Sequence, residues 1–193
     1  LLFIMTINME MVFYGIKFTS FLILKIRVLF SEIFFIFSIF FTYFIGLAYY
    51  DSTNGLDFNR YIRNIKFFQG DSINIYDGQG SLYFFLMSKF VGSYGNLENY
   101  VGNIEVNNSI QFFNFILFCV GLFGLFRLGK FYREDNETIF IALGILCYFP
   151  PAFYLRLTMK PEILAFALLP WCILFSNKYL LEKNNLKTYF LSF

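Results

Sequence analysis

The run VLFSEIFFIFSIFFTYFIGLAYY, from Val28 to Tyr50, decides the fold class. Its only charged residue is Glu32, and it is long enough to cross a bilayer core, which takes about 20 apolar residues as a helix. Lys17, Lys25 and Arg27 precede it, and Glu32 sits near that basic end, at the expected interface. Outward from this run, three more read the same way: Ser109 to Leu128, Thr138 to Leu157 and Pro161 to Leu181, with a fifth starting near Thr188. In lipid every backbone polar group must be satisfied within the segment or a closed barrel, so runs of this length are helices. The expected fold is all-α: residues 1–193 form the N-terminal part of one polytopic transmembrane helix bundle.

Composition agrees. The chain is 58% hydrophobic and 15% charged, which leaves too little polar surface to cover a soluble core of this length. The 31 Phe occur with abundant Ile, Asn, Lys and Tyr, a bias that AT-rich coding produces, so the Phe count carries little functional weight. A net charge of +2 with scattered basic residues excludes a nucleic-acid binder. The absence of His removes Ser-His-Asp and Cys-His catalysis and His-ligated zinc from the chain as given. Cys119, Cys147 and Cys172 fall inside apolar runs without metal-ligand spacing. The first residue is Leu and the last lies in a new apolar run, so a piece of a longer chain is expected, with Met5, Met9 or Met11 as alternative starts. No small-residue cleavage site follows the first apolar run.

Basic residues set the expected orientation. Nine of the 15 Lys and Arg fall on one side of the bundle: Lys17, Lys25, Arg27, Arg127, Lys130, Arg133, Lys178, Lys183 and Lys187. The N-terminus is therefore expected in the cytoplasm. The loop from Asp51 to Asn108 and the turn from Thr158 to Lys160 then face outward.

That outward loop contains GLDFNRYIRNIKFFQGDSINIYDGQGSLYFFL, Gly55 to Leu86, a polar, acid-containing segment between long apolar runs. Phe58, Ile62, Ile65 and Phe68 recur at helical spacing among Arg60, Arg63, Asn64 and Lys66, which predicts an amphipathic helix on the membrane surface. Asp57 suits its start and Gly70 its end. Leu82 to Val91 is apolar but too short to span, so a second interfacial or re-entrant helix is expected. The turn-rich GDSINIYDGQGS joins the two, and a Gly/Asn-rich loop follows to Asn108.

Two groups could carry chemistry. Asp57 is placed to take a proton from an attacking hydroxyl, as a positioned carboxylate can, or simply to cap the helix that follows. Asp51, at the outer end of the first span, is the alternative acid. Asp71 and Asp77 are weak candidates for Mg²⁺ or Mn²⁺, which take oxygen ligands and often only one or two carboxylates plus a substrate phosphate. They read equally as ordinary turn residues. The second group is RLTMKPE at the turn between the third and fourth runs. There Arg156 and Lys160, beside Glu162, suit a lipid phosphate or snorkel to the interface. Pro150-Pro151 breaks the outer part of the third span, and Pro161 fits the first turn of the fourth.

The pattern resembles the GT-C superfamily of integral membrane glycosyltransferases. LDFNRYIRNIKFFQGDSINIYD looks like the acid, spaced Tyr, Gly and Tyr-Asp segment of its polyprenyl-phosphate-sugar-dependent members, matched at Asp57, Tyr61, Gly70, Tyr76 and Asp77. Lys160-Pro161-Glu162 resembles their basic-Pro-Glu motif at the start of a span. The chain departs from the pattern in having Gly78-Gln79-Gly80 where a Pro-rich stretch often stands, and in lacking an adjacent acidic pair.

The resemblance implies two amphipathic surface helices in the first outward loop and an inverting transfer from a polyprenyl-phosphate-linked sugar to a glycan, lipid or protein acceptor. Asp57 would be the base, and Tyr61, Tyr76, Asp77, Arg156, Lys160 and Glu162 would bind substrate. A multi-pass protein of the bacterial inner membrane and cell envelope is implied. Competing readings are a polysaccharide-repeat polymerase or ligase, a transporter, for which the apolar span centres count against, and a non-catalytic assembly protein.

Overall fold

The computed structural model describes residues 2–53, 57–71 and 80–181. Among them all regular structure is helical: α1 (Leu2–Tyr49), α2 (Phe58–Phe68), α3 (Ser81–Met87), a 3-10 turn (Leu97–Tyr100), α4 (Ile104–Phe131), α5 (Asn136–Tyr148), α6 (Pro150–Leu157) and α7 (Glu162–Leu181). Two helices are long and apolar enough to cross a membrane, the Ile23–Tyr49 part of α1 and the whole of α4. A third span exists if α5 and α6, bent by 63° at their junction, count as one. The break falls at Phe149-Pro150, where the proline ring fits the first turn of a new helix but cannot continue the old one. The predicted fourth span is α7, a 20-residue helix that carries Pro170 and stands outside that count. The predicted fifth lies outside the described residues, as do Tyr76 and Asp77.

The helices pack in alternating directions. Arg27 meets Glu137, Phe35 stacks on Phe140 at 5.6 Å and Phe41 faces Tyr148, so α1 and α5 run side by side in the same sense. Phe118 stacks on Phe166 at 5.2 Å and Trp171 donates to the Val120 carbonyl at 3.1 Å, so α4 and α7 are likewise parallel to each other. Tyr43 stacks on Phe115 at 4.3 Å and Gln111 reaches the Gly46 carbonyl, which sets α4 antiparallel to α1. Small residues allow the closest approaches. A Cβ on Gly121 would stand 2.9 Å from the Phe166 carbonyl, the group that Pro170, lacking an N–H, leaves without its helical partner.

The outer surface of α1 stays apolar and uncovered, with Phe30 68% and Phe44 61% exposed. Such a face is suited to lipid, not water.

The amphipathic helix is present over Phe58–Phe68, as its periodicity predicts. Its end is a Schellman turn, with Asp71 N–H bonded to the Lys66 carbonyl, Gly70 N–H to Phe67 and Gly70 at φ +94°. Its apolar face packs largely on protein. Ile62 and Ile65 are fully buried, within one core that includes Tyr83, Phe84, Val91 and Tyr100 of the same outer loop. The moment that identifies such a helix is the same whether lipid or protein covers it. The second helix is shorter than predicted, ending at Met87 instead of Val91, because Ser88–Phe90 turn away.

Candidate functional site

Three loop segments meet at the end of the bundle where α1 stops. Asp51 leads them. Its Oδ1 accepts from the Thr53 N–H at 2.9 Å and the Thr53 hydroxyl at 2.6 Å, and the Thr53 oxygen in turn accepts from Gly102 N–H at 2.8 Å. This Asx-type turn anchors the start of the outer loop to its far end. Ser52 completes the anchor, donating its N–H to Asn107 and its hydroxyl to the Leu157 carbonyl.

Asp57 occupies the N-cap position of α2 but makes no side-chain capping bond. Its carboxylate is 54% exposed and lies 4.0 Å from Arg60, so the capping role is not what holds this acid in place. One turn on, Tyr61 is buried, its ring 5.2 Å from that of Phe84 on α3. Asp71 ends the same segment in an ion pair with Lys66 at 3.2 Å. Among the described residues no three carboxylate, cysteine or histidine side chains gather as metal ligands.

The Lys160-Pro161-Glu162 turn is the hub of this end. Gly80, at φ +58°, packs against Pro161 so closely that a Cβ there would stand 2.5 Å from the Pro161 Cβ. A side chain at residue 80 would be both strained and overlapped, which accounts for a glycine where the resemblance leads one to expect a Pro-rich stretch. Just beyond it, fully buried Tyr83 donates to Asn114 Oδ1 at 2.9 Å, and the Asn114 amide donates to the Thr158 carbonyl at 2.7 Å.

Burial pushes the Tyr83 phenol well above its usual pKa; its hydrogen bond to Asn114 and the Lys160 backbone oppose the rise, and the Glu162 charge adds to it. Tyr83 therefore ties α3, α4 and the Lys-Pro-Glu turn together, with Tyr61 and Glu162 close by. The Lys160 ammonium points the other way, over the Tyr154 ring at 5.2 Å, and Tyr154 meets Tyr50, the neighbour of Asp51. Glu162 thus lies on the Tyr83 side of the turn and the Lys160 side chain on the Tyr154 side. A cleft of about 380 Å³ opens beside it, walled by Gly80, Leu82, Tyr83, Pro161 and Leu164.

Arg156 is not with them. It neither snorkels nor faces the outside: it is 1% exposed, donating to the hydroxyl of Thr42 at 3.0 Å and to the Thr42 carbonyl. Its guanidinium lies near the rings of Phe118 and Phe153, at 5.7 and 5.2 Å. Its Nε has no partner, and no carboxylate pairs with it among the described residues.

Four residues escaped the sequence reading: Thr42, Tyr83, Gln111 and Asn114. Gln111 and Asn114 carried a usable signal, two amides three residues apart in an otherwise apolar span. Gln111 bonds the Gly46 and Tyr50 carbonyls, capping the last turn of α1 from the side. No known protein family, curated protein or solved structure matches this chain.

Proposed function

We propose that this chain is the N-terminal part of the membrane-embedded region of a glycosyltransferase of the GT-C type. It acts at the end of the bundle formed by Asp51, Asp57 and the Lys160-Pro161-Glu162 turn. The helix register supports a multi-pass arrangement, since Lys25, Arg27, Arg127, Lys130, Arg133 and Lys178 all belong to the opposite end. By the positive-inside rule that end, with the N-terminus, is cytoplasmic. The donor is a polyprenyl-phosphate-linked sugar and the acceptor an alcohol on the outer side.

One observation carries the reading. Asp57 begins an amphipathic helix that protein packing pins to the outer end, and its carboxylate serves no capping bond there. The Asp51 carboxylate is held by two hydrogen bonds from Thr53, whereas that of Asp57 makes no capping bond and only a 4.0 Å ion pair with Arg60. In the proposed step the acceptor oxygen attacks the anomeric carbon, the bond from that carbon to the phosphate oxygen breaks with inversion, and Asp57 takes the hydroxyl proton. Lys160 meets the departing phosphate, whose charge grows as the bond breaks. Arg156 acts as a positioning residue, setting the end of α6 four residues before Lys160 without touching substrate.

The test is transfer by the full-length protein in membranes supplied with a polyprenyl-phosphate sugar. Asp57→Asn should lower turnover by about a hundredfold or more, the ordinary contribution of a general base. Asp51→Asn should lower stability and leave most of the transfer. The reverse pattern would reassign the base to Asp51, and full activity in both variants would end the proposal.

A further inference from the structure

The cytoplasmic end carries two neighbouring clefts of similar size and different charge. One, of about 560 Å³, lies between α1 and α5, and its cations Arg27 and Lys130 face the acids Asp135 and Glu137. Arg27 is spent on Glu137, with two hydrogen bonds of 3.1 and 2.9 Å to one oxygen. Asp135 is spent on the start of α5, accepting from the Thr138 N–H and hydroxyl, and these bonds hold its carboxyl below the usual value.

The other cleft, of about 520 Å³, lies between the ends of α4 and α7. Arg127, Lys130 and Lys178 line it, with no acid among the lining residues. Arg127 and Lys178 pair with no carboxylate among the described residues, and Lys130 reaches only the Glu134 backbone carbonyl, at 3.3 Å. Asn136 lies on the shared wall, and its Oδ1 is buried without a donor. Phe131 and Leu174 form an apolar floor.

A positive-inside bias alone scatters cations along the interface, each free to reach water. It does not account for three converging on one acid-free cleft beside an orphaned buried acceptor. We propose that this cleft binds the phosphodiester of an acidic phospholipid of the inner leaflet. Arg127, Lys130 and Lys178 contact the phosphate. Basic pockets between membrane helices on the cytoplasmic side suit this chemistry, the guanidinium offering paired donors and the ammonium groups point charge. The proposal rests on insertion in the membrane and is independent of the transferase chemistry.

The chain's single tryptophan, Trp171, stands two helical turns before Lys178 on α7 and reports on acyl chains at this site. The experiment reconstitutes the chain in phosphatidylcholine vesicles and titrates brominated phosphatidylglycerol or brominated phosphatidylcholine while reading Trp171 fluorescence. Quenching by the acidic lipid should saturate at a low mole fraction, and the zwitterionic lipid should quench only in proportion to its amount. Replacing Arg127, Lys130 and Lys178 together by Gln should weaken the acidic lipid's apparent affinity about a hundredfold. Arg63→Gln with Lys89→Gln, charges removed from the opposite end, should leave it unchanged.

Equal quenching by the two lipids in vesicles that carry the protein overturns the site alone, as does an unchanged preference in the triple variant. Displacement of the acidic lipid by millimolar inorganic phosphate would show a free-anion site and overturn the lipid assignment. Failure of the chain to float with the vesicles overturns both this proposal and the membrane reading on which it rests.

Discussion

The two ends of the bundle hold polar groups in opposite ways. At the end where α1 stops, the polar side chains are mostly neutral, buried and bonded to backbone carbonyls: Gln111 to Gly46 and Tyr50, Asn114 to Thr158, Ser52 to Leu157. At the other end they are charged and exposed, joined by Arg27–Glu137 and the Asp135 cap. A buried amide that satisfies a helix-end carbonyl fixes geometry, because leaving either partner unpaired is costly. An exposed ion pair fixes little and is screened by salt. The end where α1 stops is therefore the more rigid one, and the opposite end is freer to meet a variable charged surface.

Arg156 is the sharpest way to break that contrast, being, among the described residues, the one charge buried between α1, α4 and α6. Replacing it by Met orphans nothing, because the Thr42 hydroxyl keeps its bond to the Ser38 carbonyl. Since a buried cation with no carboxylate partner costs several kcal/mol, Arg156→Met should leave stability unchanged or raise it by about 1–4 kcal/mol. Thermal unfolding in detergent would then move up by several degrees, roughly 2–4 °C for each kcal/mol. Transfer should fall in the same variant. A lower melting temperature would instead make the guanidinium a structural staple.

A loss of stability should follow from Tyr83→Phe, which keeps the ring packed but leaves Asn114 Oδ1 buried without its donor. The expected cost is about 1–3 kcal/mol, read as a lower melting temperature and faster amide exchange in the Lys160 turn. If stability holds, the Tyr83–Asn114–Thr158 chain is not what ties the loop to the bundle. Smallest of all should be Arg27→Ala at the inner end. An exposed pair contributes at most about 1 kcal/mol, so the melting temperature should barely move and its change should vanish at high salt. A loss as large as that for Tyr83 would remove the distinction between the two ends.

Much of this architecture was legible in the chain itself. Uniform apolar runs located α1, α4, α5–α6 and α7, Pro150 marked the bend, and the spacing of Phe58, Ile62, Ile65 and Phe68 located α2 to within a residue of its ends. Each of these depends on local composition and period, which a linear reading captures. Of the charged residues the sequence singled out near this turn, Lys160 lies over the Tyr154 ring, while Arg156, four residues earlier, turns into the bundle. Helical geometry sends residues four apart to one face, but the bend at Pro150 and the end of α6 at Leu157 place Arg156 on a helix and Lys160 beyond it.

By itself, then, the sequence determined the helical class, the apolar runs and the side of the bundle on which the cations lie, because hydrophobicity, period and charge are properties of neighbouring residues. Only the tertiary structure decided that Ile62 and Ile65 of α2 are buried in protein, that Asp51 accepts from Thr53 while Asp57 makes no capping bond, and that Tyr83 and Asn114 join α3 to the Lys-Pro-Glu turn. The first and last of those outcomes depend on partners dozens of residues away, and no local pattern encodes which distant group will arrive to fill a buried hydrogen bond.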